Sequence, residues 1–498
     1  MTKRRKRKQA EKRVYHGGFF EPLTQDAIKA IHKTSMDVFE EVGVKIAYKP
    51  IMNLWKKAGG EVVDEENMIV RMGRDIVEKC IKSAPSEITL CGRDPRNDLI
   101  LSGTRTHIGT GGTALNILDI ETGERRPTNI RDVAAAARVC DALDNIDFFV
   151  ITCFPCEIEK PKVDVNRFYA AIQNTSKHVM GGVYTVEGIR QLARMAELIA
   201  GSKDAFAKRP FMSMITCIMS PLLLDKDYTE LMETACSLNI PLATPAAPMA
   251  GSTSPASLAG TLVQMNVEAL SGIVTTQLLN PGHPTLYSVV PTTTDLRTGA
   301  FCFGSIEMGM MNAAASQLAR YYELPIYNTA GPTESKVPDS QAAYEPAMNV
   351  LMSAMSGANY IHDAAGLLES GLTIALESYV IDDEISGMAK RVLQGIEVDE
   401  ERLAFECIKR VGPAGNYLSD ELTIKLMNKE FYYPKLADRK PYMVWEQEGK
   451  KTTEERAREK VKVILAEHKP LPIPEEIDAQ IRAEIPDILP ETGKIYGE

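Results

Sequence analysis

The 498-residue sequence is poor in aromatic side chains, which make up 6% of it, with two tryptophans. Histidine is scarcer still, with seven. That leaves little material for hydrolytic chemistry: neither the G-x-S-x-G nucleophile elbow nor the H-E-x-x-H zinc motif occurs. A basic excess is also missing. Lys and Arg total 57 against 67 Asp and Glu, a net charge of -10, whereas a phosphate-binding surface usually comes with surplus cations. The balance argues against nucleic acid as the main partner. No run nears the roughly 18 apolar residues of a membrane span, so no membrane partner is expected. The basic start MTKRRKRKQAEKR is followed by VYHGGFFEPLT rather than by the apolar stretch of a signal peptide. Nine cysteines, odd in number and scattered, predict reduced thiols in a cytoplasm rather than a disulfide framework.

What is present is an ordinary globular composition, 44% hydrophobic and 25% charged. Residues 1–20 read as a solvated, disordered basic tail, with a docking or nucleic-acid arm as the alternative. Residues 21–105 read as a helical segment and a hairpin. AIKAIHKTSMDVFEEVGV and ENMIVRMGRDIVEKCIKSA carry helical spacing, and ITLCG and DLILSG flank the turn RDPRN. From residue 106 a repeated unit takes over. Eight short β-like runs, THIGT, FFVIT, HVMGGV, FMSMIT, PLATPA, TLYSVV, PIYNTA and ANYIHDA, alternate with helical segments such as NIRDVAAAARVCDAL and VEGIRQLARMAELIAG. Eight strand–helix units over roughly 260 residues predict an α/β fold, a closed (β/α)8 TIM barrel at 106–370, rather than an open doubly wound sheet. Residues 371–498 predict a helical C-terminal extension that wraps the barrel or a neighbouring subunit.

Barrel active sites are built from the loops at the C-terminal ends of the strands. The loop after the seventh run, YNTAGPTESK, is rich in hydroxyls and holds one carboxylate, which makes Thr329, Thr333, Glu334 and Ser335 candidates for a site wall. His362, beside Asp363, ends the eighth run. Phe154, Tyr184, Tyr327, Tyr344 and Tyr360 fall at strand ends or just beyond. Aromatic rings beside a carboxylate hold a quaternary ammonium by cation–π attraction, roughly 0.5 to 2 kcal/mol per ring. Core packing is the alternative for each ring, and a packed, hydrogen-bonded histidine for His362.

Two motifs point elsewhere. GTGGTA at 109–114 satisfies G-x-G-x-x-A, yet LNILDIETGERR reads as an extended piece with a turn, not as the helix that would face a pyrophosphate. A glycine-lined barrel mouth fits better. CFPC at 153–156 has the spacing of a redox or zinc pair, but zinc would need His178, Cys217 or His283 from other strands. A strand-end turn with packed thiols is the simpler reading. No tightly bound cofactor or metal is expected.

FGSIEMGMMNAAASQLARYYELPIYNTAGPTESKVPDSQAAYE, SGANYIHDAAGLLESGLTIALE, GTGGTALNILD, GPAGNYLSDELTIK and YPKLADR resemble the trimethylamine:corrinoid methyltransferase superfamily, over nearly the whole chain after the basic start. The resemblance implies a (β/α)8 barrel that passes a methyl group from an amine to the cobalt of a separate corrinoid protein. Corrinoid (cobalamin) would then arrive on that cognate partner. One departure matters. Members acting on trimethylamine carry pyrrolysine, which the resemblance places near residues 332–335, and this chain has only standard amino acids. Members lacking it look like quaternary-amine demethylases. Glycine betaine is therefore the leading expected substrate, with proline betaine, carnitine and γ-butyrobetaine behind it. A quaternary ammonium departs as a neutral tertiary amine, so no general acid is needed, and the corrinoid brings the nucleophile. Positioning is what remains for the protein, with Glu334 and His362 as candidates. A cytoplasmic homo-oligomer is the expected assembly. The rival expectations are a folate-dependent one-carbon methyltransferase barrel and a non-catalytic betaine-binding scaffold.

Overall fold

The computed structural model describes residues 13–497. Eight parallel strands form its central sheet: β1 His107–Ile108, β2 Phe148–Val150, β3 His178–Gly182, β4 Met212–Ile215, β5 Leu242–Ala243, β6 Thr285–Ser288, β7 Ile326–Thr329 and β8 Tyr360–His362. Their order in space follows their order in the chain, and a bridge between Gly109 and Phe148 joins β1 to β2 and closes the cylinder. Each run read from the sequence is one of these strands. Eight helices alternate with them: α1 Ile130–Ala142, α2 Lys160–Asn174, α3 Val186–Ala200, α4 Lys226–Ser237, α5 Leu258–Leu279, α6 Ile306–Tyr321, α7 Gln341–Ser356 and α8 Leu376–Leu393. The fold is the expected TIM barrel.

Strand side chains alternate in and out. Phe148, Val150, Met180, Ala243, Leu286, Tyr327 and Tyr360 form an inner cluster, while Phe149, Val179, Met214, Tyr287, Ile326 and Ile361 join the larger core between strands and helices. The inner cluster also takes in Ile88, Leu90, Leu99 and Leu101 from the antiparallel hairpin Ile88–Leu90 and Leu99–Leu101. Cys91, just past its first strand, donates its N–H to the Pro210 carbonyl before β4, and its carbonyl accepts from His178 Nδ1 at the foot of β3, 2.8 Å away. The hairpin therefore plugs the N-terminal end of the barrel. Ligands have the other end.

The glycines of GTGGTA serve closure more than ligand approach. A Cβ on Gly109 would fall 2.3 Å from the Phe148 ring, and one on Gly111 would fall 2.0 Å from Asp363 Oδ1. The reading of these glycines as a lining for the mouth is corrected accordingly. Past them the chain forms Asn116–Leu118, paired antiparallel with Arg125–Pro127, so no helix follows to receive a pyrophosphate.

The N-terminal segment departs from its reading in two places. Within ENMIVRMGRDIVEKC, Ile69–Arg71 is a strand paired with Glu61–Asp64, and the helix starts only at Arg74, after Gly73. A run as short as three residues fits helical and extended spacing equally, and the pairing decides. The basic tail lies outside the described residues as far as residue 12, but residues 15–20 are tied down. The Tyr15 carbonyl accepts from the Thr106 N–H, and Gly17 and Gly18 donate to the carbonyls of Thr104 and Met355.

Beyond α8 the chain wraps its own barrel. Helix Thr453–Glu467 packs on α1 and α8, and helix Glu475–Glu484 packs on α3. The last residues cover α2: Asn166 donates to the Asp487 carbonyl, Asn174 to the Gly493 carbonyl, and the Tyr169 hydroxyl to Asp478. Among the described residues no helix is long and apolar enough to cross a membrane.

Candidate active site

At the open end, Gly182, Ile215 and Val290 are half-exposed, whereas Met180, Ser213 and Leu286, deeper in the same inward rows, are buried. A Cβ on Gly182 would meet nothing within 4 Å. Solvent therefore reaches the barrel interior above the ends of β3, β4 and β6.

Its floor is a run of stacked rings. Phe148 and Tyr360 lie 3.6 Å apart between centroids, Tyr360 and Tyr327 5.6 Å, and Tyr327 and His362 4.1 Å, all nearly parallel. Burial pushes both tyrosine hydroxyls well above their ordinary range. Their rings pack against one another, which suits a rigid base better than a cage around a cation.

The wall at β7 and β8 is polar. Thr329 Oγ1 donates to Asp363 Oδ2 at 2.8 Å, and His362 Nε2 lies 2.8 Å from the same oxygen. His362 Nδ1 donates to the Asn328 carbonyl at 2.7 Å. Asp363 holds a left-handed backbone, φ 61°, and its Oδ1 is buried without a hydrogen-bond partner. Strain at the mouth of a barrel strand is characteristic of a working site.

The loop after β7 brings two carboxylates together. Glu334 Oε1 accepts the Gly304 N–H at 2.7 Å. Glu345, in the first turns of α7, accepts the Thr333 hydroxyl at 2.5 Å and the Glu334 N–H at 3.0 Å. A Cβ on Gly304 would lie 2.7 Å from Glu345 and 2.8 Å from Glu334, so both acidic groups crowd one glycine. Burial, and then the neighbouring Glu345, push the Glu334 carboxyl up from its ordinary range. Ser335 spends its hydroxyl inside the loop, donating to Asp339 at 2.8 Å. Tyr344 is 58% exposed on the first turn of α7. Ser335 does meet Thr333, whose Oγ1 accepts the Ser335 N–H at 3.0 Å, whereas Tyr344 stands apart in solvent.

Phe154 and Tyr184, beyond β2 and β3, do meet, edge to face with centroids 5.6 Å apart. The Arg167 guanidinium lies 5.9 Å from the first ring and 5.5 Å from the second. The expectation that this pair cages a substrate cation is corrected, because the protein's own cation sits against it.

CFPC divides in the structure. Cys153 is buried, with its thiol pushed up by that burial, and Cys156 is exposed. His178 and His283 stand at the feet of β3 and β6, the wrong end of the barrel for a site with Cys153. Among the described residues, no group of three or more His, Cys, Asp or Glu could hold a metal ion.

A family model described as "Trimethylamine methyltransferase (MTTB)" matches residues 1–487. The chain belongs to this family. A trimethylamine methyltransferase MttB of Desulfitobacterium hafniense (strain DSM 10664 / DCB-2) is 36% identical over 475 residues, 95% of this chain and 94% of that protein. A glycine betaine methyltransferase of D. hafniense (strain Y51) is 33% identical over 477 residues, 96% and 98% of the two chains. Among solved structures, the monomethylamine methyltransferase MtmB of Methanosarcina barkeri overlaps with a TM-score of 0.45 at 14% identity, covering 88% of this chain and 98% of its own. The MTTB-family chain thus combines a barrel plugged at one end with a mouth that is acidic after β7 and aromatic after β2 and β3.

Proposed function

We propose that this methyltransferase takes its methyl group from a quaternary amine, with glycine betaine the leading substrate, and delivers it to a corrinoid held by a separate cognate protein. Relatives named for trimethylamine and for glycine betaine are 36% and 33% identical to the chain, so overall identity does not choose between them. The observation that carries the choice is Glu334. Where the sequence resemblance puts the electrophile that serves tertiary amines, this chain has a half-buried carboxylate held by the Gly304 N–H.

A group brought by another protein would enter at the open end, where a Cβ on Gly182 would meet nothing within 4 Å. The corrinoid, when its carrier docks, supplies the nucleophile. The chain's own residues bind and aim. Glu334, with Glu345 behind it, draws the ammonium to the β7 side of the mouth. Thr329, His362 and Asp363 lock one another, and the stack of Tyr327, Tyr360 and Phe148 sets the depth at which the methyl group stops. Such positioning contributes several kcal/mol to a displacement. Positive charge disperses as the carbon–nitrogen bond breaks, so a very strong cation site would favour the ground state. One carboxylate whose ionisation burial opposes is suitably modest.

Calorimetric titration tests the substrate class. Glycine betaine should bind more tightly than trimethylammonium, and tighter binding of trimethylammonium would overturn the reading.

A further inference from the structure

Arg167, on α2, is fully buried, 0% exposed, and none of its three guanidinium nitrogens has a hydrogen-bond partner. Arg138 shows the ordinary arrangement, since its Nε and Nη2 donate to Asn174 Oδ1 at 3.0 and 2.8 Å. No carboxylate hydrogen-bonds Arg167 either, although the charge of Asp164 attracts it. Asp164, one turn earlier, accepts from the N–H groups of Tyr184 and Thr185 and from the Thr185 hydroxyl. The rings of Phe154 and Tyr184 offset part of the charge, but rings accept no conventional hydrogen bond from five N–H donors. A buried guanidinium with none of its N–H donors met is expensive and rarely kept for stability alone.

Its placement suggests a use. Helical side chains lean toward the helix N-terminus, and in a strand–helix unit the helix starts at the C-terminal end of the strand. Arg167 accordingly reaches up under two half-exposed rings at the mouth. β3, which leads into Tyr184, and β7, which leads into Glu334, stand half a turn apart in the eight-stranded barrel. We propose that Arg167 is the receptor for the carboxylate of the substrate, reached when that carboxylate displaces the Phe154–Tyr184 edge contact. An anion receptor at this end of the mouth favours a substrate that carries a carboxylate over an amine with none. Planar guanidinium–carboxylate pairing gives this end its specificity. The inference rests on the quaternary-amine reading for the identity of the cationic head, not for the anion site.

Three probes separate the two claims: glycine betaine; 3,3-dimethylbutyrate, its uncharged-head carbon isostere; and choline, which has the ammonium but no carboxylate. Binding of each to the full chain and to Arg167→Met and Arg167→Lys is measured by calorimetry, with thermal unfolding of each unliganded variant alongside. The expected result is a loss of at least 30-fold in affinity for both carboxylates in Arg167→Met, a smaller loss in Arg167→Lys, and less than a threefold change for choline. Unliganded Arg167→Met should melt close to the parent protein, because relief of the unmet buried donors offsets the lost attraction to Asp164. Binding of 3,3-dimethylbutyrate that depends on Arg167, without binding of glycine betaine, would sustain the anion site while defeating the quaternary-amine reading. The proposal is overturned if neither carboxylate binds the parent protein, or if both bind parent and Arg167→Met equally. A lower melting temperature with unchanged carboxylate binding also overturns it, since it would mark Arg167 as a structural prop for the two rings.

Discussion

Glu334 is where single-residue chemistry bears most on function. Burial raises its carboxyl pKa, so protons compete with a cationic ligand at higher pH than for an ordinary glutamate. KM for glycine betaine should therefore rise as pH falls toward the carboxylate range. Glu334→Gln removes the charge and nearly keeps the shape. Its KM should be raised by about 1 to 2 kcal/mol, roughly 5- to 30-fold, with a smaller fall in kcat and little pH dependence. Parallel KM–pH profiles for the two proteins would show that the carboxylate does not face the cation. Glu334 itself was legible in the sequence, because a carboxylate among hydroxyls after a β-like run is a local pattern. Its partner Glu345 was not, since it lies beyond a turn and only the fold of α7 returns it to the loop. Arg167 was less legible still: the last residues of the chain cover α2 and bury residues on nearly every side of it, which erases the one-sided pattern that marks an inward-facing position.

At the scale of elements, barrel closure depends on Gly109. Its Cβ would strike the Phe148 ring, which Tyr360 pins from its other neighbourhood at 3.6 Å. Gly109→Ala should cost about 1 to 3 kcal/mol of stability by urea denaturation. Gly182→Ala, facing open space at the mouth, should leave the urea midpoint unchanged and alter KM instead. A second element-level prediction concerns the loop after β4, which Glu268 of α5 holds by accepting from the Ser220 hydroxyl at 2.7 Å and the Leu222 N–H at 2.9 Å. Burial raises its pKa from 4.5 to about 7. The unfolded chain loses this proton first, so the associated stability is complete below pH 4.5 and is lost as pH rises through 7, on the order of 3 kcal/mol. The urea midpoint should fall between pH 5 and pH 7.5 in the parent protein and fall less in Glu268→Gln. An identical decline in both would assign it elsewhere. All the barrel strands were legible because each is a compact apolar run bounded by helical spacing. The strand Ile69–Arg71 was not, because a run that short takes its conformation from the Glu61–Asp64 strand beside it.

At the scale of the whole molecule, the C-terminal extension divides in two. Residues 453–497 close over the barrel, whereas residues 396–444 leave large apolar side chains in solvent, among them Ile396 at 86%, Phe405 at 69%, Leu418 at 81% and Phe431 at 63% exposed. We propose that a second copy of the chain covers these side chains, in keeping with the expected homo-oligomer. Analytical ultracentrifugation should find an assembly larger than one chain of 54.9 kDa, and Leu418→Glu with Phe405→Glu should weaken it. A strictly monomeric parent protein would contradict this. The central claim concerns the donor of the methyl group, and one measurement reaches it directly: the protein mixed with reduced corrinoid and a panel of methylated amines, followed by the corrinoid absorbance change. The account predicts transfer from glycine betaine or another carboxylate-bearing quaternary amine and negligible transfer from trimethylamine; a comparable rate with trimethylamine would contradict it.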